Sequence, residues 1–133
     1  MEKIGIFKNG VMQWEYKPER ATRVYLISFA QAGIYIGSTI DIYKRFKKFV
    51  RELTRNNYPN WKLQAAFNSS PTFEVYELEK VNPNDRRTIR EQFFIDILRP
   101  ELNICPAGLH YDNKRFAREL SELLRKPLKV TVE

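Results

Sequence analysis

The stretch from Val24 to Arg45, VYLISFAQAGIYIGSTIDIYKR, decides the fold that we predict for this chain. Two runs of β-branched and aromatic residues flank a glycine-containing turn, and a basic segment follows the second run. We therefore predict two antiparallel strands joined by a tight turn, followed by the first turns of a helix. Tyr25 in the first strand, Tyr35 in the second strand and Arg45 on the helix would together form a phosphate-handling site.

The turn determines which side chains share a face of this hairpin. We predict a three-residue loop at 31–33 with Gly33 in the left-handed conformation, so that Phe29 pairs with Tyr35 and Ile27 with Gly37. Because side chains alternate across a strand, a loop with an odd residue count keeps the two tyrosines on one face. An even count would separate them. The opposite face would be core and would carry Val24, Leu26, Ile34 and Ile36.

The composition favours one folded, basic domain. The chain has 133 residues, of which 43% are hydrophobic, so it is long enough for a single core. It has 23 Lys and Arg against 16 Asp and Glu, a net charge of +7. This excess makes a polyanion the leading class of partner, with nucleic acid ahead of a membrane surface. A soluble basic protein without such a partner is the alternative.

Cysteine usage and hydropathy point to a cytoplasmic protein. Cys105 is the only cysteine, so no internal disulfide framework exists, and with the single His110 it cannot build a zinc site. We interpret Cys105 as a packing residue and His110 as part of a surface loop. The N-terminus has no apolar run typical of a signal peptide, and no stretch approaches the roughly 18 apolar residues of a membrane span.

The remaining elements follow from turn signals and periodicity. Asn9-Gly10 predicts a small hairpin within residues 1–22. The sequence Ser38–Asp41 resembles a capping box and starts a helix that runs to about Arg55, with Arg45 at the border of its apolar stripe. The other predicted elements are a helix at Asn60–Asn68, a strand at Phe73–Lys80, a helix after 82–85 that ends near Leu98, and a basic helix at 113–126.

Glu91 is the most informative carboxylate of the chain. A helical projection places it within about 60° of three apolar residues of its helix. A carboxylate on an apolar face is costly to bury unless it binds a cation or a strong donor. Glu91 is therefore either a metal ligand or a glutamate at the rim of the core, salt-bridged to an arginine such as Arg87 or Arg90. The apolar neighbours are Phe94, Ile95 and Leu98.

These parts, in this order, resemble the GIY-YIG nuclease domain of homing endonucleases and excision-repair nucleases. The resemblance covers Arg23 to about Gly108, and the segment Trp61–Phe67 resembles the second helix of the family. Five motifs in the right order and spacing are fairly specific, although each is weak alone. They are Arg23-Val24-Tyr25 (in place of Gly-Ile-Tyr), Tyr35-Ile36-Gly37-Ser38-Thr39, Tyr43-Lys44-Arg45-Phe46, Arg90-Glu91-Gln92-Phe93-Phe94 and Leu102-Asn103-Ile104.

The resemblance implies an α+β fold, with a three-stranded antiparallel sheet flanked by helices. It also implies hydrolysis of a DNA phosphodiester with one divalent metal, Mg²⁺ or Mn²⁺. Glu91 would bind the metal, and Arg45 would hold phosphate oxygens and offset charge in the transition state. Tyr25 or Tyr35 would be the general base, with its pKa lowered from about 10 by the metal and the arginine.

Two further positions carry over from the family, and several basic residues lie beside the motifs. Gly37 would let backbone approach the site, and Asn103 would orient groups around it. Most charges on the first helix are also explained as a solvated face. The predicted nucleic-acid contacts are Lys44, Lys48, Lys62, Arg115 and Arg118.

One position departs from the family. Many members carry a histidine, and others a tyrosine, one helical turn after the arginine, where this chain has Phe49. Three explanations stay open: Tyr58 or Lys48 supplies the missing group, the two tyrosines suffice with slower turnover, or the domain binds DNA without cutting it. We expect a metal-dependent endonuclease, because the other catalytic positions are all present. A non-catalytic nucleic-acid-binding module is the alternative, and a scaffold with purely structural tyrosines is a third hypothesis.

We divide the chain into an N-terminal extension at 1–22, a nuclease-like domain at 23–108, and a basic helix and tail at 109–133. The last segment is too short for a large DNA-reading domain. Specificity would therefore be weak, or it would come from a homodimer or a partner protein.

Overall fold

The computed structural model describes residues 1–104 as one antiparallel sheet with helices on both faces. The predicted helix at 113–126, with Arg115 and Arg118, lies outside the described residues, as do Cys105 and His110. None of the described helices is long and apolar enough to cross a membrane. The strands are β1 (Glu2–Lys8), β2 (Val11–Trp14), β3 (Arg23–Phe29), β4 (Gly33–Thr39) and β5 (Phe73–Lys80), and the helices are α1 (Ile42–Thr54), α2 (Trp61–Ser69) and α3 (Arg87–Leu98).

The predicted α+β fold is confirmed, with five strands where three were expected. The strand order is β2-β1-β5-β3-β4, and all neighbours are antiparallel. The N-terminal hairpin turns at Asn9 and Gly10, whose φ angles of 53° and 79° are both left-handed. Its first strand buries Ile4 and Phe7 and pairs with β5, so the hairpin extends the sheet.

The β3–β4 loop has three residues, as predicted, but it lies one position earlier than predicted. Residues 30–32 form the turn, and Gly33 is the first residue of β4, with a φ of 119°. A Cβ atom at Gly33 would lie 2.6 Å from the Glu101 carboxylate, which accepts a hydrogen bond from the Ile34 N–H. Glycine therefore marks the turn region correctly, because its positive φ is needed there, but it does not fix which residue closes the loop.

The predicted strand pairing was therefore wrong by two residues. Phe29 does not pair with Tyr35, and Ile27 does not pair with Gly37. A shift of two residues preserves the face of every side chain, so the predicted division into faces still holds. The observed pairs are Phe29 with Gly33, Ile27 with Tyr35 and Tyr25 with Gly37.

Both faces of the sheet are buried, by different helices. The face with the tyrosines packs beneath α1 and α2 in a large aromatic cluster that includes Phe46, Phe49 and Phe73. The opposite face packs beneath α3 in a smaller aliphatic cluster. That cluster contains Val24, Leu26, Ile36, Val81 and Ile95, with Ile34 packed against it.

Asp41, not Ser38, caps helix α1. The Asp41 carboxylate accepts a hydrogen bond of 3.1 Å from the Lys44 N–H, and Thr39 Oγ1 accepts one from the Asp41 N–H. Because the carboxylate lies at the positive end of the helix dipole, it fixes where the helix begins. Ser38 is thereby left free of capping, and its hydroxyl points to α3.

Candidate active site

Arg45 lies at the centre of a cluster of tyrosines beneath α1. Its Nη2 donates a hydrogen bond of 3.1 Å to the Tyr58 hydroxyl. The pKa of the Arg45 guanidinium is raised by the nearby hydroxyls of Tyr25, Tyr58 and Tyr35, so it stays protonated at any physiological pH. The structure thus brings the arginine together with both strand tyrosines, which the odd loop count places on one face of the hairpin.

Tyr25 is the most enclosed of these phenols. Only 1% of it is exposed, and its ring lies edge-on to Phe46 at a centroid distance of 5.1 Å. Burial raises the pKa of Tyr25 to about 12, although the positive charge of Arg45 opposes the rise. A Cβ atom at Gly37 would lie 2.5 Å from the Tyr25 hydroxyl oxygen. Gly37 therefore makes room for the Tyr25 phenol. The sequence instead predicted that Gly37 lets the backbone approach the site.

Tyr35 is the more accessible strand tyrosine, with 8% of the residue exposed. It lies on β4, which is an edge strand of the sheet, and pairs across to Ile27. Tyr25 lies on β3, between two neighbouring strands. The edge position leaves the Tyr35 side of the cluster nearer to solvent.

Glu91 on α3 binds Ser38 on β4 and interacts electrostatically with Tyr25 and Arg45 of this cluster. It is 8% exposed, and burial raises the pKa of its carboxyl, against the lowering effect of the Ser38 hydroxyl, Arg87 and Arg45. Ser38 donates a hydrogen bond to Glu91 Oε1, and Arg87 Nη1 donates to Ser38 Oγ at 2.8 Å and to the Ser38 carbonyl at 3.1 Å. A buried carboxylate is thus stabilised by positive charges from two helices.

Glu91 forms none of the ion pairs found among residues 1–104. Arg90, one of the partners considered above, pairs with Glu79 at 2.6 Å. Arg87 reaches Glu91 only through the Ser38 hydroxyl. The rim salt bridge is therefore absent from the described part of the chain.

The donor chemistry of this site fits a hard divalent cation. Glu91 Oε2 has no hydrogen-bond partner among residues 1–104, so one carboxylate oxygen is available as a ligand. No group of three His, Cys, Asp or Glu side chains that could enclose a metal occurs in the same residues. A single carboxylate is typical of Mg²⁺, which keeps several waters and takes further oxygens from substrate phosphates.

Asn103 binds the backbone of β4. Its Nδ2 donates to the Ile36 carbonyl and its Oδ1 accepts from the Ile36 N–H, both at 2.9 Å. The preceding residue continues this pairing, since the Leu102 N–H donates to the Ile34 carbonyl at 3.0 Å. Asn103 thus holds the strand segment between Tyr35 and Gly37 and acts on the site through the backbone.

Phe49 lies in the aromatic core with 1% of the residue exposed. Tyr58 packs edge-on against it at a centroid distance of 5.0 Å, and the Tyr58 hydroxyl binds Arg45. Lys48, the other group considered as a substitute proton carrier, is exposed on the outer surface of α1. Tyr58 therefore places a hydroxyl beside both Arg45 and the position one helical turn after it.

A basic groove runs along the outer surface of α1. It has a volume of about 1010 Å³ and includes Arg45 in its lining, with Asp41 as its single acid. The predicted nucleic-acid contacts Lys44 and Lys48 line it, whereas Lys62 lies on α2, where its Nζ is 3.5 Å from the Glu101 carbonyl. The basic residues of the groove are Arg20, Lys44, Arg45, Lys47, Lys48 and Arg51.

Sequence reasoning missed two polar residues of this site. Ser38 was interpreted as part of a helix cap, and Arg87 only as a rim partner of Glu91. Ser38 follows Gly37 directly on β4, and the alternation along the strand would have pointed it to the face opposite Tyr35 and Gly37, beneath α3. That signal depended on knowing that α3 covers this face.

A comparison with known protein families matches the region that contains this site. The family model described as the GIY-YIG catalytic domain matches residues 22–103, which is more than half of the chain. No curated protein and no solved structure gives a significant match. The matched range contains β3, β4, β5, all three helices and every predicted site residue among the described ones. The chain therefore belongs to the GIY-YIG family of nuclease domains.

Proposed function

We propose that this protein is a metal-dependent DNA endonuclease that hydrolyses phosphodiester bonds with a tyrosine as general base. The observation that carries the proposal is the meeting of Arg45, the strand tyrosines and Glu91, which interact electrostatically although they come from four separate elements. A half-buried arginine among phenols, and a buried carboxylate that forms no ion pair within residues 1–104, are costly arrangements for structure alone. They are useful where a phosphate and a cation bind.

Each residue has a distinct part in the proposed reaction. Arg45 binds a non-bridging phosphate oxygen and stabilises the negative charge that grows in the transition state. A phenolate accepts a proton from water, whose oxygen bonds to phosphorus while one phosphorus–oxygen ester bond breaks. Glu91 would hold a Mg²⁺ or Mn²⁺ ion, which supplies Lewis acidity to the scissile phosphate when bound.

Tyr35 is the better candidate for the base. Because the pKa of Tyr25 is about 12, only about one Tyr25 side chain in 10⁵ is ionised to the phenolate at pH 7. Tyr25 is also nearly inaccessible to water, whereas Tyr35 on the edge strand, although buried, keeps 8% of its surface exposed. Tyr25 would then hold Arg45 in position, and Tyr58 would do so from the other side.

The alternative is a nucleic-acid-binding module that does not cut. Phe49 favours it, because a buried phenyl ring replaces a proton carrier of the family. Phe49→His tests this directly: a gain of cleavage by an inactive wild type would identify Phe49 as the missing catalytic position.

The decisive experiment incubates DNA with the full chain and Mg²⁺. Wild type is expected to cut, Glu91→Ala to lose cleavage, and Tyr35→Phe to lose it while still binding DNA. Glu79→Ala is a matched control, because Glu79 on β5 pairs with Arg90, which lies on the same helix as Glu91. If the wild type binds DNA in a salt-sensitive way but does not cut it, the non-catalytic binding module is the better hypothesis. If it neither binds nor cuts DNA, the scaffold hypothesis remains.

A further inference from the structure

The N-terminal hairpin and α1 enclose an apolar pocket that the proposed reaction does not use. The pocket has a volume of about 350 Å³, in the lower range for sites that bind small molecules. Two of its residues come from β2, which precedes the range matched by the family model. We call it the hairpin pocket; it is lined by Met12, Trp14, Tyr43, Phe46, Lys47 and Val50.

Gly5 makes the pocket possible. It pairs with Trp14 across β1 and β2, and a Cβ atom at Gly5 would lie 2.7 Å from the Met12 methyl and 3.0 Å from the Trp14 ring. Because Gly5 has no Cβ, the Met12 and Trp14 side chains can lie against it and reach the residues of α1. The Trp14 ring lies edge-on to Phe46 at 5.7 Å and 6.2 Å from the Tyr43 ring. The Trp14 and Tyr43 rings, which both remain partly exposed, thus form one wall of the pocket.

Two lysines lie beside this aromatic wall. Lys47 Nζ lies 4.6 Å from the centroid of the Tyr43 ring, and Lys17 Nζ lies 5.4 Å from it. Tyr43 and Lys47 also line the basic groove that contains Arg45. The hairpin pocket and the proposed catalytic site therefore border one continuous positively charged surface.

We propose that the hairpin pocket binds an unpaired nucleobase of the DNA strand whose phosphates lie in the basic groove. Partly exposed aromatic rings for the base, with lysines beside them for the flanking phosphates, are the combination with which proteins bind single-stranded nucleic acid. The bases of a continuous duplex are stacked on their neighbours, so they cannot enter without unpairing. The pocket thus selects DNA with unpaired nucleotides, such as a flap, gap or branch, over intact duplex. This inference rests on the proposed function only for the choice of DNA as the polymer.

The test measures binding in the presence of EDTA, where no cleavage occurs. Trp61→Phe leaves Trp14 as the only tryptophan of the full chain, since the sequence has two and Trp61 is exposed on α2. A short oligothymidylate is expected to quench Trp14 fluorescence, and a blunt duplex of the same length to quench it far less. No quenching, or equal quenching by both, would overturn the proposal.

Substitutions give a second readout. Tyr43→Ala is expected to weaken oligothymidylate binding about tenfold, and Tyr43→Phe to retain the binding because it keeps the ring. Tyr16→Ala is the matched control, since Tyr16 is an exposed aromatic that does not line the pocket. Equal losses in Tyr43→Ala and Tyr16→Ala would refute the pocket. If Tyr43→Ala fails to fold, the Trp14 titration still decides.

The two proposals fail in different ways. A chain that cuts duplex DNA with Mg²⁺ but gives no Trp14 quenching refutes the hairpin pocket alone. A chain that binds oligothymidylate through Trp14 but never cuts refutes the endonuclease alone.

Discussion

Arg45 is the residue on which the proposed chemistry depends most. Its guanidinium is held by the Tyr58 hydroxyl at 3.1 Å and interacts with the phenols of both strand tyrosines. An arginine in such surroundings binds planar oxyanions in a fixed orientation, which a lysine with its flexible stem does not reproduce. Its removal would also take a hydrogen-bond donor from the buried Tyr58 hydroxyl.

Arg45→Lys is expected to reduce cleavage by about 10² to 10³-fold, because one preorganised donor to the transition-state charge is lost. The positive charge of Arg45 also interacts electrostatically with Tyr35, the proposed general base, and so stabilises its phenolate form. A variant in which that charge is moved away is therefore expected to need a higher pH for its remaining activity. Rates measured across pH check both effects. A fall of less than fivefold with an unchanged pH profile would contradict this role.

Glu91→Gln is expected to stabilise the metal-free protein at neutral pH. The folded-state pKa of Glu91 is raised by burial, so folding favours its protonated form. Its contribution to stability is therefore present below the unfolded-state pKa of about 4.3 and is lost as the pH rises through the raised folded-state pKa. Unfolding temperatures of wild type and variant should converge in acid and separate at neutral pH.

Mg²⁺ offers a complementary measurement on the same pair of proteins. Binding to the folded state alone raises the unfolding temperature of the wild type, whereas Glu91→Gln should respond much less. An equal response of both proteins would argue against Glu91 as a metal ligand.

At the scale of elements, two asparagines fasten α2 and the segment 101–103 to the sheet. Asn60 is fully buried; its Oδ1 accepts from the Lys62 and Leu63 N–H groups at the start of α2, and its Nδ2 donates to the Leu102 carbonyl at 2.8 Å. Asn103 then pairs with both backbone groups of Ile36. The edge strand that carries Tyr35 and Gly37 is thus held by side chains where a sixth strand is missing.

Asn103→Ala is expected to destabilise the protein by about 1–3 kcal/mol, because two backbone groups of β4 lose their partners. The looser strand should lower kcat more than it changes KM. Urea unfolding measures the first effect and steady-state cleavage the second. Asn57→Ala is the matched control, since Asn57 is exposed. Faster exchange of the Ile36 amide hydrogen is a further expected sign, and unchanged exchange would refute the pairing.

At the scale of the whole molecule, positive charge is not spread evenly over the surface of residues 1–104. The basic groove gathers six cations around a single acid along α1. Two lysines outside the groove are paired with carboxylates, Lys80 with Glu19 at 2.9 Å and Lys3 with Glu74 at 3.4 Å. Binding of a polyanion should therefore depend on the α1 face and not on charge in general.

The double substitution Lys44→Ala and Lys48→Ala is expected to reduce the slope of log binding constant against log salt concentration by about 2. Each lysine that neutralises a phosphate adds about 0.9 to that slope. Lys3→Ala with Lys80→Ala removes the same charge from ion-paired positions and should change the slope little. Fluorescence anisotropy with labelled DNA at several salt concentrations measures both. Equal changes in the two double variants would show that the groove is not the contact surface.

The sequence predicted most of the fold and the membership of the candidate site. Alternation within β3 and β4 depends only on local backbone geometry, so the shared face of Tyr25 and Tyr35 followed from the loop parity alone. The apolar neighbours of Glu91 on α3 likewise followed from the helical period. The exact register did not follow, because Gly33 accepts a positive φ either inside the loop or at the start of the strand.

By itself, then, the sequence determined the order of elements, the faces of the strands and helices, and the positions of the charged and phenolic side chains, all of which are local properties of the chain. Only the tertiary structure decided which of these residues meet. It paired β1 with β5, which turned an apparent extension into part of the sheet, and it joined Ser38 to Glu91 from separate elements. It also buried Tyr25 under α1 and so raised its pKa. These outcomes depend on contacts between residues far apart in the chain, and no local pattern encodes such contacts.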